Sequence, residues 1–125
     1  LPKLPVISHL EKNVRVDIKV DSQVEAILGA FHRTNLLYFA NEAFSNALRH
    51  GRATVIELRL NRSDDERVLL TINDNGVGFH PDEAGNPLGL GLSNLTQRAA
   101  QLGGELKVDS FPGGGTRLTL LFLPT

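Results

Sequence analysis

Val14, Val16, Ile18 and Val20 alternate with Arg15, Asp17 and Lys19, a period of two that predicts a half-buried strand with a wet outer face. Ser22 and Glu25 have capping-box spacing. Val24, Ile27, Leu28 and Phe31 then recur at helical intervals, predicting a helix that ends near His32 and Arg33. A longer helix is expected from about Asn35 to His50. Leu36, Leu37, Ala40, Ala43, Phe44, Ala47 and Leu48 make its apolar face, and Gly51 stands where a C-terminal cap belongs. Alternation returns with Ile56, Leu58 and Leu60, and again with Val68, Leu70 and Ile72; the polar stretch 61–66 between them reads as a hairpin connection. The second of these strands delivers Asp74 at its end. Residues 79–88, with Pro81, Gly85 and Pro87, break any regular element and read as a loop. A helix from about Leu92 to Leu102 turns Leu92, Leu95, Ala99 and Leu102 inward and stops at Gly103-Gly104. Two last strands, 105–110 and 116–123, are joined by Phe111-Pro112-Gly113-Gly114-Gly115.

The order β-α-α-β-β-loop-α-β-β, with strands polar on one face and helices apolar on one, calls for an α+β fold. It is a two-layer α/β sandwich, a mixed and mostly antiparallel sheet with three helices on one face. Two plain hairpins exclude a doubly wound arrangement. The 125 residues fit one domain, large enough to bury a core without staples. A net charge of −1 leaves no footprint for nucleic acid or for direct contact with an anionic membrane. The chain has no cysteine, which excludes disulfides, thiol nucleophiles and thiolate metal sites and fits a reducing, cytoplasmic setting. It opens on Leu1-Pro2-Lys3-Leu4-Pro5 without an initiator methionine, so residues 1–12 are expected to be a lead-in from a longer protein.

Chemistry concentrates in two glycine motifs, Asp74-Asn75-Gly76-Val77-Gly78-Phe79 and Gly89-Leu90-Gly91-Leu92. A carboxylate at a strand end can accept from the exocyclic amine of adenine, and a buried carboxylate penalises the wrong base. Gly76 and Gly78 remove side chains that would block the base edge. Gly89, Gly91 and the start of the following helix offer N–H groups and a positive dipole end to phosphates. Glu42, Asn46 and His50 recur every four residues on one side of the long helix, with Arg49 beside them. Such a row is commonly only a solvated face. Here Asn46 offers an amide oxygen to magnesium shared with phosphates, and Glu42 can orient a water or support the metal. The spacings of a dinucleotide-binding fold, a Walker loop and the protein kinases are all missing.

Asn41-Glu42-Ala43-Phe44-Ser45-Asn46-Ala47-Leu48-Arg49-His50 resembles the N box of the GHKL ATP-binding superfamily, which includes histidine kinases, gyrase, the large heat-shock chaperone and MutL. The two glycine motifs resemble its G1 and G2 boxes, and Gly113-Gly114-Gly115-Thr116 its late Gly-Thr signature. The form of the N box, the short lid and Arg98-Ala99-x-x-Leu102-Gly103-Gly104 are similar to sensor histidine kinases of the NarL/DesK type. The resemblance, over about residues 12 to 124, implies a Bergerat ATP-binding fold with ATP and Mg2+ as cofactors. It implies that Asp74 binds the adenine amine, Asn46 ligates magnesium, and Glu42 supports the metal or activates a nucleophile. Gly76, Gly78, Gly89, Leu90, Gly91 and Leu92 would shape the pocket, and Thr116 would reach adenine through water. Arg49 and His50 would lie near the phosphates, although a basic pair at a helix C-terminus also has a dipole rationale. Arg98 reads as a structural surface residue. Asn75 and Asn94 fit either ligand contact or turn and helix chemistry.

Kinases of this type phosphorylate a histidine usually followed by an acidic residue. His9, His32, His50 and His80 are followed by Leu10, Arg33, Gly51 and Pro81. The expectation is therefore a cytoplasmic catalytic ATP-binding domain, monomeric when isolated, in a homodimeric parent that is either membrane-anchored or not. It would donate the γ-phosphoryl group to a separate dimerisation and phosphoacceptor domain, and a response regulator would receive it next. The rivals are a stand-alone, anti-sigma-factor-like serine kinase and a degenerate nucleotide-binding or docking module.

Overall fold

The computed structural model of the chain describes residues 14–78 and 92–124. The lead-in 1–12, the loop 79–88 and the candidates Gly89, Leu90 and Gly91 lie outside the described residues, as does the side chain of Leu92. The elements are β1 (Arg15–Val20), α1 (Ser22–Ile27), α2 (Ala30–Arg49), β2 (Val55–Arg62), β3 (Val68–Asp74), α3 (Leu92–Gln101), β4 (Glu105–Ser110) and β5 (Thr116–Phe122). One five-stranded sheet has the order β1-β2-β3-β5-β4. Only β1 and β2 pair in parallel; the other three pairings are antiparallel. The fold is thus the α+β sandwich expected from the order of elements.

Alternation decides which sheet face is covered. Ile56, Leu58 and Leu60 of β2, Val68, Leu70 and Ile72 of β3, and Leu118, Leu120 and Phe122 of β5 are all buried on one face. Helix α1 packs against β2, α2 against β3 and α3 against β4. The helices seal that face with Val24, Leu36, Phe39, Phe44, Leu95 and Ala99, of which Phe39 and Phe44 are fully buried. Phe39 is a core residue that the expected stripe omitted, whereas Leu37 and Leu48 are only partly buried. The opposite sheet face faces water, and its charges pair mostly within single strands: Arg15 with Asp17, Arg59 with Glu57, Lys107 with Asp109.

The helical hairpin departs from expectation. Asp21, not Ser22, caps α1, its side chain accepting from the backbone N–H of Gln23 at 2.9 Å. The helix stops at Ile27, and α2 already begins at Ala30 after Gly29. Phe31 consequently belongs to α2 and is 59% exposed. The elbow is tied by Arg33, whose Nε donates to the Leu28 carbonyl at 2.9 Å and whose Nη2 donates to the Glu25 carbonyl. These bonds satisfy carbonyls that a helix end leaves orphaned, so a break that the stripe alone would have run through is stabilised. Replacing Arg33 with alanine is expected to cost about 1–2 kcal/mol, the range for hydrogen bonds from a charged donor discounted for partial exposure. A lower urea midpoint at unchanged m-value checks it.

At the other end of α2 the cap residue is His50, in the right-handed region. Gly51 does not take a left-handed conformation; the next residue, Arg52, does, with φ 52°. Ile18, expected inward, is 43% exposed because β1 is an edge strand at the rim of the helix layer. Helix α3 ends as expected: Gly103 sits at φ +67° and the N–H of Gly104 donates to the Ala99 carbonyl at 2.9 Å.

Candidate functional site

Two contacts orient α2. His32, in its first turn, stacks on Phe122 with ring centroids 5.5 Å apart and 11° between planes, and Phe122 pairs with Val68 at the start of β3. At its far end, the Gly51 carbonyl accepts from the N–H of Val77, just beyond β3, at 2.8 Å. Helix α2 therefore runs the length of β3 in the same direction, and its last turns reach the Asp74 end. Helix α3 runs the opposite way. Gly104, just past its C-terminus, lies so close to β5 that a Cβ there would meet the Leu121 carbonyl at 2.8 Å. Its first residue, Leu92, hence points back toward the Asp74 end. Between the helices the Arg98 guanidinium lies 4.6 Å from the centroid of the Tyr38 ring. One and two turns on from Tyr38 along the same column stand Glu42 and Asn46, both half-buried. Arg49 and His50 complete the end of the helix and are exposed.

Asp74 terminates the inward alternation of β3. It occupies the same side of the strand as Leu70 and Ile72 and lies opposite Ile56 on β2 and Thr116 on β5. Ser110 on β4 completes the rung. Where the neighbouring rungs are apolar, this one reads Ile56, Asp74, Thr116, Ser110. Asp74 is half-buried, and its Oδ1 accepts from the N–H of Gly76 at 2.7 Å. Burial pushes the Asp74 carboxyl up from its ordinary value, and backbone N–H groups of Gly76 and Thr116 pull back part of that rise. A carboxylate has about four acceptor sites; two backbone donors leave room for a ligand amine.

Ser110 is buried, and its hydroxyl lies 3.0 Å from the Gly115 carbonyl and 2.9 Å from Thr116 Oγ1. The sequence reading missed it. The signal was present: Leu106 and Val108 face inward, so two residues on a serine must also point at the core side.

The glycines have reasons inside the protein. A Cβ on Gly76 would meet the Gly51 carbonyl at 2.6 Å and Asp74 Oδ1 at 2.8 Å. Gly78 has φ +66°, and a Cβ there would meet the Phe111 carbonyl at 2.2 Å. The turn after β3 is thus pressed between the end of α2 and the β4–β5 turn, with Gly113 N–H donating to the Val77 carbonyl at 2.6 Å. Asn75 is taken up by this framework: its Oδ1 accepts from the N–H groups of Thr54 and Val55, each at 2.9 Å, and its Nδ2 donates to Thr54 Oγ1. That is the turn role rather than the ligand role. Arg98, as expected, serves a surface contact.

Among the described residues no group of three or more His, Cys, Asp or Glu side chains could hold a metal ion alone. Magnesium would have to arrive with oxygen ligands of its own, as it does on a nucleotide's phosphates; with those, a single amide oxygen at Asn46 fits.

Comparisons with known proteins show the family and the fold. Residues 32–125 match the family model described as histidine kinase-, DNA gyrase B-, and HSP90-like ATPase. The chain is 34% identical over 108 residues to the nitrate/nitrite sensor protein NarX of Escherichia coli strain K12, covering 86% of this chain and 18% of NarX. It is 39% identical over 84 residues to the sensor protein VraS of Staphylococcus aureus strain COL, covering 67% of this chain and 24% of VraS. It therefore spans less than a quarter of the length of these curated relatives. The crystal structure of the ATP-binding domain of PrrB from Mycobacterium tuberculosis superposes with a TM-score of 0.71 at 23% identity, covering 98% of this chain and 88% of that one, which shows the shared fold. The chain belongs to the GHKL family of histidine kinase-, gyrase- and HSP90-like ATPase domains, with sensor histidine kinases of the NarL/DesK type as its relatives.

Proposed function

We propose that this domain binds Mg-ATP and donates its γ-phosphoryl group to a histidine on a dimerisation domain outside this chain, from which a response-regulator aspartate receives it. The observation that carries the reading is the half-buried, desolvated carboxylate of Asp74 on the core-facing side of the sheet, at the end where the last turns of α2 and the first turn of α3 meet. Asp74 accepts from the adenine amine. Glu42 and Asn46, half-buried on the column of α2 that follows Tyr38, would face the phosphates, and the amide oxygen of Asn46 would ligate magnesium. The metal, when bound, neutralises charge on the phosphate oxygens. Gly89, Leu90, Gly91 and Leu92 are assigned to ATP binding, as are Arg49, whose guanidinium carries positive charge, and His50. In the transfer step the acceptor imidazole nitrogen attacks the γ-phosphorus in line. The bond to the β–γ bridging oxygen breaks, and ADP leaves with that electron pair. The domain's part is positioning and charge stabilisation.

Titration with a fluorescent ATP analogue, with and without magnesium, tests binding, and incubation with the parent's dimerisation helices and Mg-ATP tests transfer. An acid-labile, alkali-stable phosphoprotein is expected; an acid-stable product would favour a serine acceptor and overturn the histidine reading. Asn46→Asp places a carboxylate against the phosphates and is expected to weaken magnesium-dependent binding by about tenfold or more. Unchanged magnesium dependence would remove Asn46 from the metal.

A further inference from the structure

Helices α2 and α3 pack against one another and run opposite ways, and the buried Leu95 and Ala99 hold α3 to the core. Apolar burial is non-directional. It resists lifting α3 off the sheet more than sliding it along α2, the shear by which packed helices move. A directional contact stands outside that dry seam. The half-buried Arg98 of α3 places its guanidinium 4.6 Å from the centroid of the Tyr38 ring on α2, within the distance at which a ring face attracts a cation. Its Nη1 also donates to Gln101 Oε1 at 3.4 Å. Tyr38 is 52% exposed, so burial does not account for an aromatic ring at this place.

The position of the contact along both helices gives it a use. Glu42 and Asn46 follow Tyr38 on one column, and by the rise of an α-helix Asn46 lies about 12 Å beyond the tyrosine. By the same rise Leu92, where α3 begins, lies about 9 Å back from Arg98, toward the same end. We propose that Arg98 and Tyr38 are positioning residues, whose cation–π contact locks α3 against sliding on α2 and so sets the span between the Glu42–Asn46 column and the start of α3. On the nucleotide reading above, on which this inference rests, those are the two sides of the triphosphate. Asp74 reads the base from β3, outside the reach of the pair. Small slips count at such a site, where a misplacement of about 1 Å can cost about 100-fold in rate.

The test is the ratio of affinities for Mg-ATP and adenosine, each measured by displacement of a fluorescent ATP analogue. Arg98→Met keeps the stem and removes the charge, and Tyr38→Leu removes the ring face. Each is expected to lower the ratio about twofold to fivefold, the factor that an exposed cation–π contact commands, with adenosine affinity unchanged. Tyr38→Phe keeps the ring face and should keep the wild-type ratio. The double variant Tyr38→Leu/Arg98→Met should lose no more than the larger single loss, because both changes remove one contact. Folded single variants with the wild-type ratio overturn the inference and leave the nucleotide pocket standing. Equal losses for both ligands also overturn it, since a contact that serves stability alone would move them together. Binding of neither ligand by wild type sinks pocket and inference together. Should Tyr38→Leu fail to fold by circular dichroism, Arg98→Met alone decides: an unchanged ratio there refutes the role of the pair.

Discussion

Asp74→Asn is expected to lose ATP affinity by at least about 100-fold while the domain stays folded, the scale on which a buried polar group facing the wrong partner is penalised. Backbone N–H groups of Gly76 and Thr116 already donate to this side chain. An asparagine must aim its own NH2 either at a backbone donor or at the incoming amine. The fold tolerates the change because the carboxylate is costly where it stands. Its pKa is raised above the ordinary 3.8 by burial, so folding favours the protonated form. The cost is present in full above the raised folded value and disappears as pH falls through it toward 3.8. Wild-type stability should therefore gain on mild acidification an increment that Asp74→Asn lacks. ATP affinity should fall over the same window, because the amine needs the ionised acceptor. Calorimetric titration across that window, paired with melting curves, checks both signs. Full ATP affinity in Asp74→Asn would dissolve the adenine assignment.

Gly115→Ala is expected to destabilise the domain by about 2–5 kcal/mol, from left-handed strain plus overpacking. This is a large share of a typical domain stability of about 5–15 kcal/mol. Gly115 has φ +74°, and a Cβ there would stand 2.2 Å from the backbone carbonyl of Asp74. The neighbour is main chain and cannot swing aside, so the strand end that carries the site must shift. Gly103→Ala is the control. Its φ is +67°, but nothing lies within 4 Å of its added Cβ, so only the strain of about 1–2 kcal/mol applies. Urea midpoints for the two variants should differ accordingly, and equal losses would show that the junction has slack.

The alternation of Ile56-Leu58-Leu60, Val68-Leu70-Ile72 and Leu118-Leu120 was sufficient to assign the covered sheet face, because a period of two has no other outcome once one side is dry. The order of hairpins and helices then left few topologies. What failed was the elbow between α1 and α2. Val24, Ile27, Leu28 and Phe31 keep a helical spacing straight through it, and the break depends on Gly29 together with an arginine whose hydrogen bonds are tertiary in effect. The cap at Asp21 was lost to a competing capping-box pattern one residue on. Asp74 could be singled out from its glycine context, whereas the alternation of Leu106 and Val108 told only that Ser110 faces inward, and its contact with Thr116 arises when β4 is laid beside β5. Gly76 and Gly78 were assigned to ligand clearance, and the structure adds a backbone reason that no linear pattern discloses.

The two border strands share a habit that the interior ones lack. Arg15, Asp17 and Lys19 on β1, and Glu105, Lys107 and Asp109 on β4, project alternating charge from the water-facing side, whereas β3 at the centre shows Leu69, Thr71 and Asn73 there. A foreign strand seeking to extend the sheet would have to lie against a ladder of plus and minus signs, stripping water from each without returning its match. Alternating charge on both border strands thus disfavours fibre growth at the sheet's two margins and leaves the strand ends to the chemistry.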